Sequence, residues 1–450
     1  MSAISKKKCS FATVFNISIL MEQLLHYCWK HKLFPLQTLR TTSGQTVEVI
    51  DTGLHNRHAG PDFFNAKLKI EGTLWVGNVE LHIKASDWYL HGHHHDHAYD
   101  NVILHVASTI DVVVTTAAGR TLPQLQLSVP PEVKAHYEEL LTIDEYPPCY
   151  QIIPKLTPLT VHSWMSALQT ERLEQKTTAI AERVKRSNGD WETAYFITLA
   201  RNFGFSVNGE AFETWAYNIP IRAVDHHRDN LFQIEALFLG QAGLLERSMI
   251  PERYQQDALR EGYFTKLYNE YSFLRHKFSL QPMDAVRWKF LRLRPQNFPH
   301  IRIVQMANLY YQKRASLRSL TECEGLDEIR SILQTSVTPY WETHYTFGST
   351  TCKTEKNLSP KTQDLLIINT VVPVLFAYGR THGKELLCDR SFDILERIKP
   401  EDNHIVRMWQ MSGLNVTCAG DSQALIQLKR EHCDKKNCLR CRFGYEYLRG

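Results

Sequence analysis

Asp62 follows a proline in the stretch GPDFFNAKLKIEGTLWVGNVELHIKAS (60–86), and Glu80, His82 and Lys84 take alternate positions near its end. Two carboxylates brought together by a hairpin are what a hard divalent cation such as Mg²⁺ or Mn²⁺ asks for, with water completing the shell. Such an ion activates a water and neutralises charge on a phosphate, with His82 or Lys84 assisting as base or electrostatic stabiliser. The competing reading is a plain hairpin with one polar face, since Pro-Asp is an ordinary turn start.

HGHHHDHAYDN (91–101) holds His91, His93, His94, His95 and His97 beside Asp96 and Asp100. Imidazoles next to carboxylates bind Zn²⁺, Mn²⁺ or Fe²⁺, and His93-x-His95 on a strand would point two ligands one way. A solvated loop that chelates adventitious metal is the alternative. Near the C-terminus, HCDKKNCLRCRFG spaces Cys433, Cys438 and Cys441 by four residues and then by two. Thiolates so placed clasp a tetrahedral ion; Cys418 is the natural fourth ligand and His432 the alternative, with zinc and an iron–sulfur cluster both open.

Two basic stretches could serve nucleic acid. RWKFLRLRPQNFPHIR interleaves Arg287, Lys289, Arg292 and Arg294 with Trp288 and Phe290, and Lys435 and Arg440 sit among the C-terminal cysteines. The pattern suits phosphate contact with base stacking, or else a buried aromatic face beside a solvated basic one. The whole chain is only mildly basic, at +4, so any such claim rests on these local clusters.

The elements that must position these groups change type along the chain. Met21, Leu24, Leu25 and Cys28 recur at helical spacing. Short alternating runs then read as strands: TVEVI, AKLKI, LWVGNVELHIK, NVILHVA and DVVVTT, with a turn at Glu71-Gly72. In the third, Glu80, His82 and Lys84 share one face, while Val79, Leu81 and Ile83 face the other way and can pack on a helix. DEYPPCYQIIPKLTPLT marks a linker. Beyond it the pattern is helical, over 161–186, 191–203, 230–246, 252–276, 302–316 and 361–379.

The expected fold class is α+β. Residues 1–20 read as an extension before Met21, 21–140 as a mixed α/β domain, 141–160 as the linker, 161–417 as a helical domain, and 418–450 as a cysteine-rich metal element. LLIINTVVPVLFAYG (365–379) is too short for a membrane span and carries Asn369 and Pro373, so a buried, kinked helix is expected. Scattered cysteines in a long chain do not form a secreted disulfide framework, which points to a reducing cytoplasm. Nothing fixes the oligomeric state.

Pro61, Asp62 and Glu80 in GPDF…GNVELHIK resemble the PD-(D/E)xK phosphodiesterase superfamily, whose site is an acid after proline followed by Glu-x-Lys on a strand. Here His82 stands two residues after Glu80 and Lys84 two further on, a departure that leaves the assisting residue undecided. The resemblance implies a helix followed by a β-meander over 21–107 and a metal-dependent nuclease. The superfamily's opening helix sometimes adds an acid, for which Glu22 is the candidate. Some of its members in DNA repair carry an iron–sulfur cluster on a C-terminal cysteine knot of different spacing. A longer stretch, DTGLHNRHAGPDFF through DNVILHV with FGFSVNGEAFE and RPQNFPHIRI, resembles an uncharacterised bacterial family, one of the domains of unknown function. The expected function is a metal-dependent nucleic-acid phosphodiesterase. The rivals are a non-catalytic nucleic-acid-binding or scaffold protein and a metal enzyme centred on His93 and His95.

Overall fold

Strands β1 (Val47–Asp51), β2 (Leu54–His55), β3 (Phe63–Ile70), β4 (Thr73–Lys84), β5 (Val102–Thr109) and β6 (Gln124–Gln126) form one mixed sheet. Its order is β1-β3-β4-β5-β6, with β2 paired to the start of β3. The computed structural model describes residues 20–34, 39–56, 58–143, 146–225 and 227–450. The expected extension therefore lies outside the described residues except for residue 20.

The β3–β4 hairpin forms where the sequence places it. Glu71 and Gly72 both take positive φ, at 48° and 77°, as a two-residue turn between right-twisted strands requires. Asn65, at φ 54°, marks a bulge between Phe63 and Ala66. The extra residue shifts the side-chain parity, so Phe63 is buried together with Ala66, Leu68 and Ile70. On β4, Val79 and Leu81 join Leu25 and Trp29 of helix α1 (20–30) in one apolar cluster. A smaller cluster contains Trp88, Tyr99 and Val102.

β1, β3 and β4 run antiparallel, whereas β5 is parallel to β4 and β6 to β5. The β4–β5 crossover contains helix α2 (Asp87–Leu90) and two 3₁₀ turns, His93–His95 and His97–Tyr99. DVVVTT makes no strand of its own. Val112 and Val113 are exposed, and only an isolated bridge from Thr115 to Thr121 remains. Gly77 lets β4 and β5 approach: a Cβ there would lie 2.4 Å from Ile103 Cγ2 and 2.8 Å from the Asn101 carbonyl. Gly77→Val is therefore expected to lower stability by about 1–3 kcal/mol, read as a lower denaturation midpoint at unchanged slope.

The chain divides into two units. The first joins residues 1–161 to 408–414 and 428–450, and the second comprises 162–407 and 415–427. Residues 146–161 thus belong to the first unit, and the stretch expected as one cysteine-rich element, 418–450, is split after Gln427. In the first unit helix α3 (Pro131–Thr142) packs against the C-terminal helix Arg442–Arg449. The second unit is helical, and Leu231–Gln241 and Pro299–Tyr311 lie deep in its core. The expected helix over 252–276 is two helices, Glu252–Glu261 and Tyr263–Phe278, broken at Gly262 with φ 74°. Pro360–His382 has the length and hydropathy of a membrane span, but 67% of its apolar window is buried within the protein. A π-helical turn, Ile367–Val371, interrupts it just before Pro373.

Candidate metal centre

Asp62 and Glu80 meet where β3 begins beside the inner half of β4. The two carboxylates are locked by reciprocal backbone bonds. The Asp62 amide donates to Glu80 Oε2 at 2.9 Å, and the Leu81 amide donates to Asp62 Oδ2 at 2.9 Å. That leaves Glu80 Oε1 facing imidazoles: His93 Nε2 at 3.2 Å and His82 Nε2 at 3.7 Å. His82 Nε2 also lies 3.2 Å from His91 Nδ1. One ligand nitrogen from each of His82, His91 and His93 falls within 4.8 Å of the others.

Secondary structure explains which histidines arrive. His82 shares the Glu80 face of β4 through strand alternation. Gly92, at φ 78°, opens the 3₁₀ turn that turns His93 inward, where its ring stacks on Tyr99 at 3.9 Å. The strand pair that the rival reading needed from His93 and His95 does not form. In a 3₁₀ turn residues two apart diverge, so His93 is buried while His95 is exposed. His97 pairs with Asp100 on the surface at 2.8 Å.

The sequence reading missed two histidines. His26, one helical turn after Glu22 on α1, stands with Nε2 3.3 Å from Asp62 Oδ2. Its signal was the i, i+4 spacing, which puts both residues on one helix face. Glu22, the acid expected from the opening helix, does lie within the electrostatic reach of Asp62 and His91. His105 occupies the β5 position paired with Glu80, and its Nε2 lies 3.0 Å from His82 Nδ1. A lone histidine in an apolar strand gives no such hint.

Burial governs the charges. Burial, and then the Asp62 carboxylate, hold the Glu80 carboxyl well above the usual range. Burial and the neighbouring imidazoles push His82 down to about 2, and burial pushes His105 down to about 4. Both are neutral at pH 7, the form in which an imidazole nitrogen can ligate a metal ion. Burial alone would depress His26, but its contact with Asp62 and the surrounding carboxylates raise it instead.

Lys84 does not join this group. β4 ends at that residue, its side chain is exposed, and the charge it neighbours is Asp111. Arg287, Lys289, Arg292 and Arg294 are exposed in the second unit. Trp288 is only 5% exposed and donates through Nε1 to the Ala242 carbonyl at 2.8 Å. It cannot stack on a base, so the expected interleaving is a buried aromatic beside a solvated basic face. Lys435 is exposed and paired with Glu431, and Arg440 is exposed. Cys433, Cys438 and Cys441 all lie in the first unit, whereas Cys418 lies in the second, at the start of helix Ala419–Gln427.

The sequence model of a family described as "Protein of unknown function (DUF2851)" matches residues 22–404. No curated protein and no solved structure matches the chain.

Proposed function

The chain belongs to the DUF2851 family, and on the geometry of its first unit we propose that it is a metal-dependent hydrolase of nucleic-acid phosphodiesters. The observation that carries this reading is the pair of interlocked carboxylates beside three imidazoles with converging ligand atoms. The donor chemistry fits a divalent ion. His93 Nε2 is buried without an aligned hydrogen bond, and burial keeps His82 neutral, the form that ligates. Imidazole-rich donors suit Mn²⁺, Zn²⁺ or Fe²⁺ better than Mg²⁺, which narrows the expected Mg²⁺-or-Mn²⁺ choice to Mn²⁺.

His82, His91, His93 and Glu80 would hold the ion, with Asp62 at its edge. When bound, it supplies Lewis-acid polarisation of a phosphate oxygen and a water of lowered pKa. The remaining chemistry belongs to side chains. His105 Nε2 stands 3.0 Å from His82 Nδ1, and a His82 that donates in that bond keeps its lone pair on Nε2, on the side of Glu80 and His91. His26, held by Asp62 and raised by that contact, takes the acid–base role that the sequence offered to His82 or Lys84. The phosphodiester assignment draws on the PD-(D/E)xK resemblance: a helix, an antiparallel β1–β3–β4 meander, an acid after Pro61 and a Glu on the next strand.

The test is cleavage of labelled single- and double-stranded DNA and RNA with Mn²⁺, Zn²⁺ or Mg²⁺. His26→Ala is expected to slow cleavage by roughly 10²- to 10⁴-fold, while Lys84→Ala cleaves at the wild-type rate. Binding without cleavage under every metal would replace the hydrolase with a scaffold. A Lys84→Ala loss matching that of His26→Ala would restore the lysine.

A further inference from the structure

The cysteine that the first unit brings to Cys433, Cys438 and Cys441 is Cys149. None of the four is in a disulfide; Cys149 and Cys441 are buried, and Cys433 and Cys438 half-buried. The three C-terminal cysteines occupy a tight double turn. The Lys436 amide donates to the Cys433 carbonyl at 3.0 Å, and the Cys441 amide to the Cys438 carbonyl at 3.2 Å. Lys436 itself takes positive φ, 53°. Gly444 presses the following helix onto this turn, where a Cβ would meet the Cys438 carbonyl oxygen at 2.3 Å.

The segment around Cys149 is held to that turn from several sides. Lys436 Nζ donates to the Leu141 carbonyl at 2.8 Å, and the His136 ring meets Tyr447 edge-on at 5.7 Å. Tyr146 lies against Trp409, with Lys429 Nζ 4.6 Å over its ring. Cys149 lies within electrostatic reach of Cys441, Cys433 and Cys438, and Cys433 within that of Cys441 and Cys438.

We propose that Cys149, Cys433, Cys438 and Cys441 form a tetrathiolate metal site, with Cys149 in place of Cys418 as the fourth ligand. Four thiolates suit a zinc ion or an iron–sulfur cluster. The assignment is independent of the proposed hydrolase.

The experiment uses the full chain purified without oxygen. Bound metal is expected, either zinc or iron with an equal amount of acid-labile sulfide, lost in Cys149→Ser and kept in Cys418→Ser. A thiol-labelling measurement on the wild type guards against a variant that fails to fold. Stripping the metal with a chelator is expected to raise alkylation at Cys149, Cys433, Cys438 and Cys441 and leave Cys418 unchanged. A metal-free wild type, metal retained by Cys149→Ser, or a gain at Cys418 rather than Cys149 would each overturn the assignment.

Discussion

Glu80→Gln is expected to abolish Mn²⁺ binding at the first unit's site and to cut metal-dependent cleavage by about 10³-fold or more, while the protein stays folded. The size follows from losing the charged oxygen that faces His93 and His82. Lewis-acid catalysis supplies several kcal/mol of transition-state stabilisation, at a factor of ten per 1.4 kcal/mol. The fold survives because a glutamine oxygen can still accept from the Asp62 amide that now bonds Glu80 Oε2. A pH signature accompanies the loss. The Glu80 carboxyl is held above its usual range, so an incoming ion must displace its proton. Wild-type metal affinity therefore rises with pH up to the Glu80 pKa, and in Glu80→Gln that component disappears. Calorimetric titration with Mn²⁺ at several pH values measures both effects. Unchanged binding in the variant would remove Glu80 from the site.

The second large effect lies in the core of the other unit. Glu235 is fully buried on helix Leu231–Gln241, and its carboxylate accepts from Trp341 Nε1, from the Tyr263 hydroxyl at 2.8 Å and from the Thr338 hydroxyl at 3.2 Å. Burial outweighs the three donors and raises its pKa from 4.5 to about 7. Between those values the folded chain keeps a proton that the unfolded chain has released. The contribution is thus fully present below pH 4.5 and is lost as pH rises to about 7, an effect of roughly 3 kcal/mol. Glu235→Gln is expected to flatten this part of the profile, since its amide oxygen can accept from Trp341 and Tyr263 while its NH₂ donates to Thr338. Glu235→Ala instead strands buried donors beside a cavity and is expected to cost about 3–5 kcal/mol. Denaturant unfolding at pH 5 and pH 8 reads all three proteins. Parallel pH slopes in wild type and Glu235→Gln would refute the linkage.

Local rules made much of the first unit legible. Alternation put Glu80 and His82 on one face of β4 and Val79 and Leu81 on the other, and Glu-Gly gave the turn. The same alternation overreached at Lys84, because a strand's last residue has no covering layer to enforce its direction. His95 failed for a different reason: the positive φ at Gly92 opens a 3₁₀ turn where the rival reading needed a strand. His105 reaches the histidine cluster only through a parallel pairing across a crossover, and Cys149 comes near Cys433, Cys438 and Cys441 only through packing against residues almost three hundred positions later. Spacing along a chain carries no trace of such contacts. Cys418, offered because it was nearer in sequence, falls in the other unit.

The discontinuity of the first unit has a consequence for how the protein is made. Its sheet is synthesised early, yet residues 408–414 and 428–450, which complete it, leave the ribosome only after the intervening helical unit. At translation rates of about 5–20 residues per second, the sheet waits tens of seconds for its final helix. During that interval α3 lacks the C-terminal helix that packs on it, and Tyr27 and His31 of the α1 segment lack Tyr445. A nascent chain stalled before residue 428 would therefore present a helical unit ready to fold and a β unit still open to chaperones and proteases.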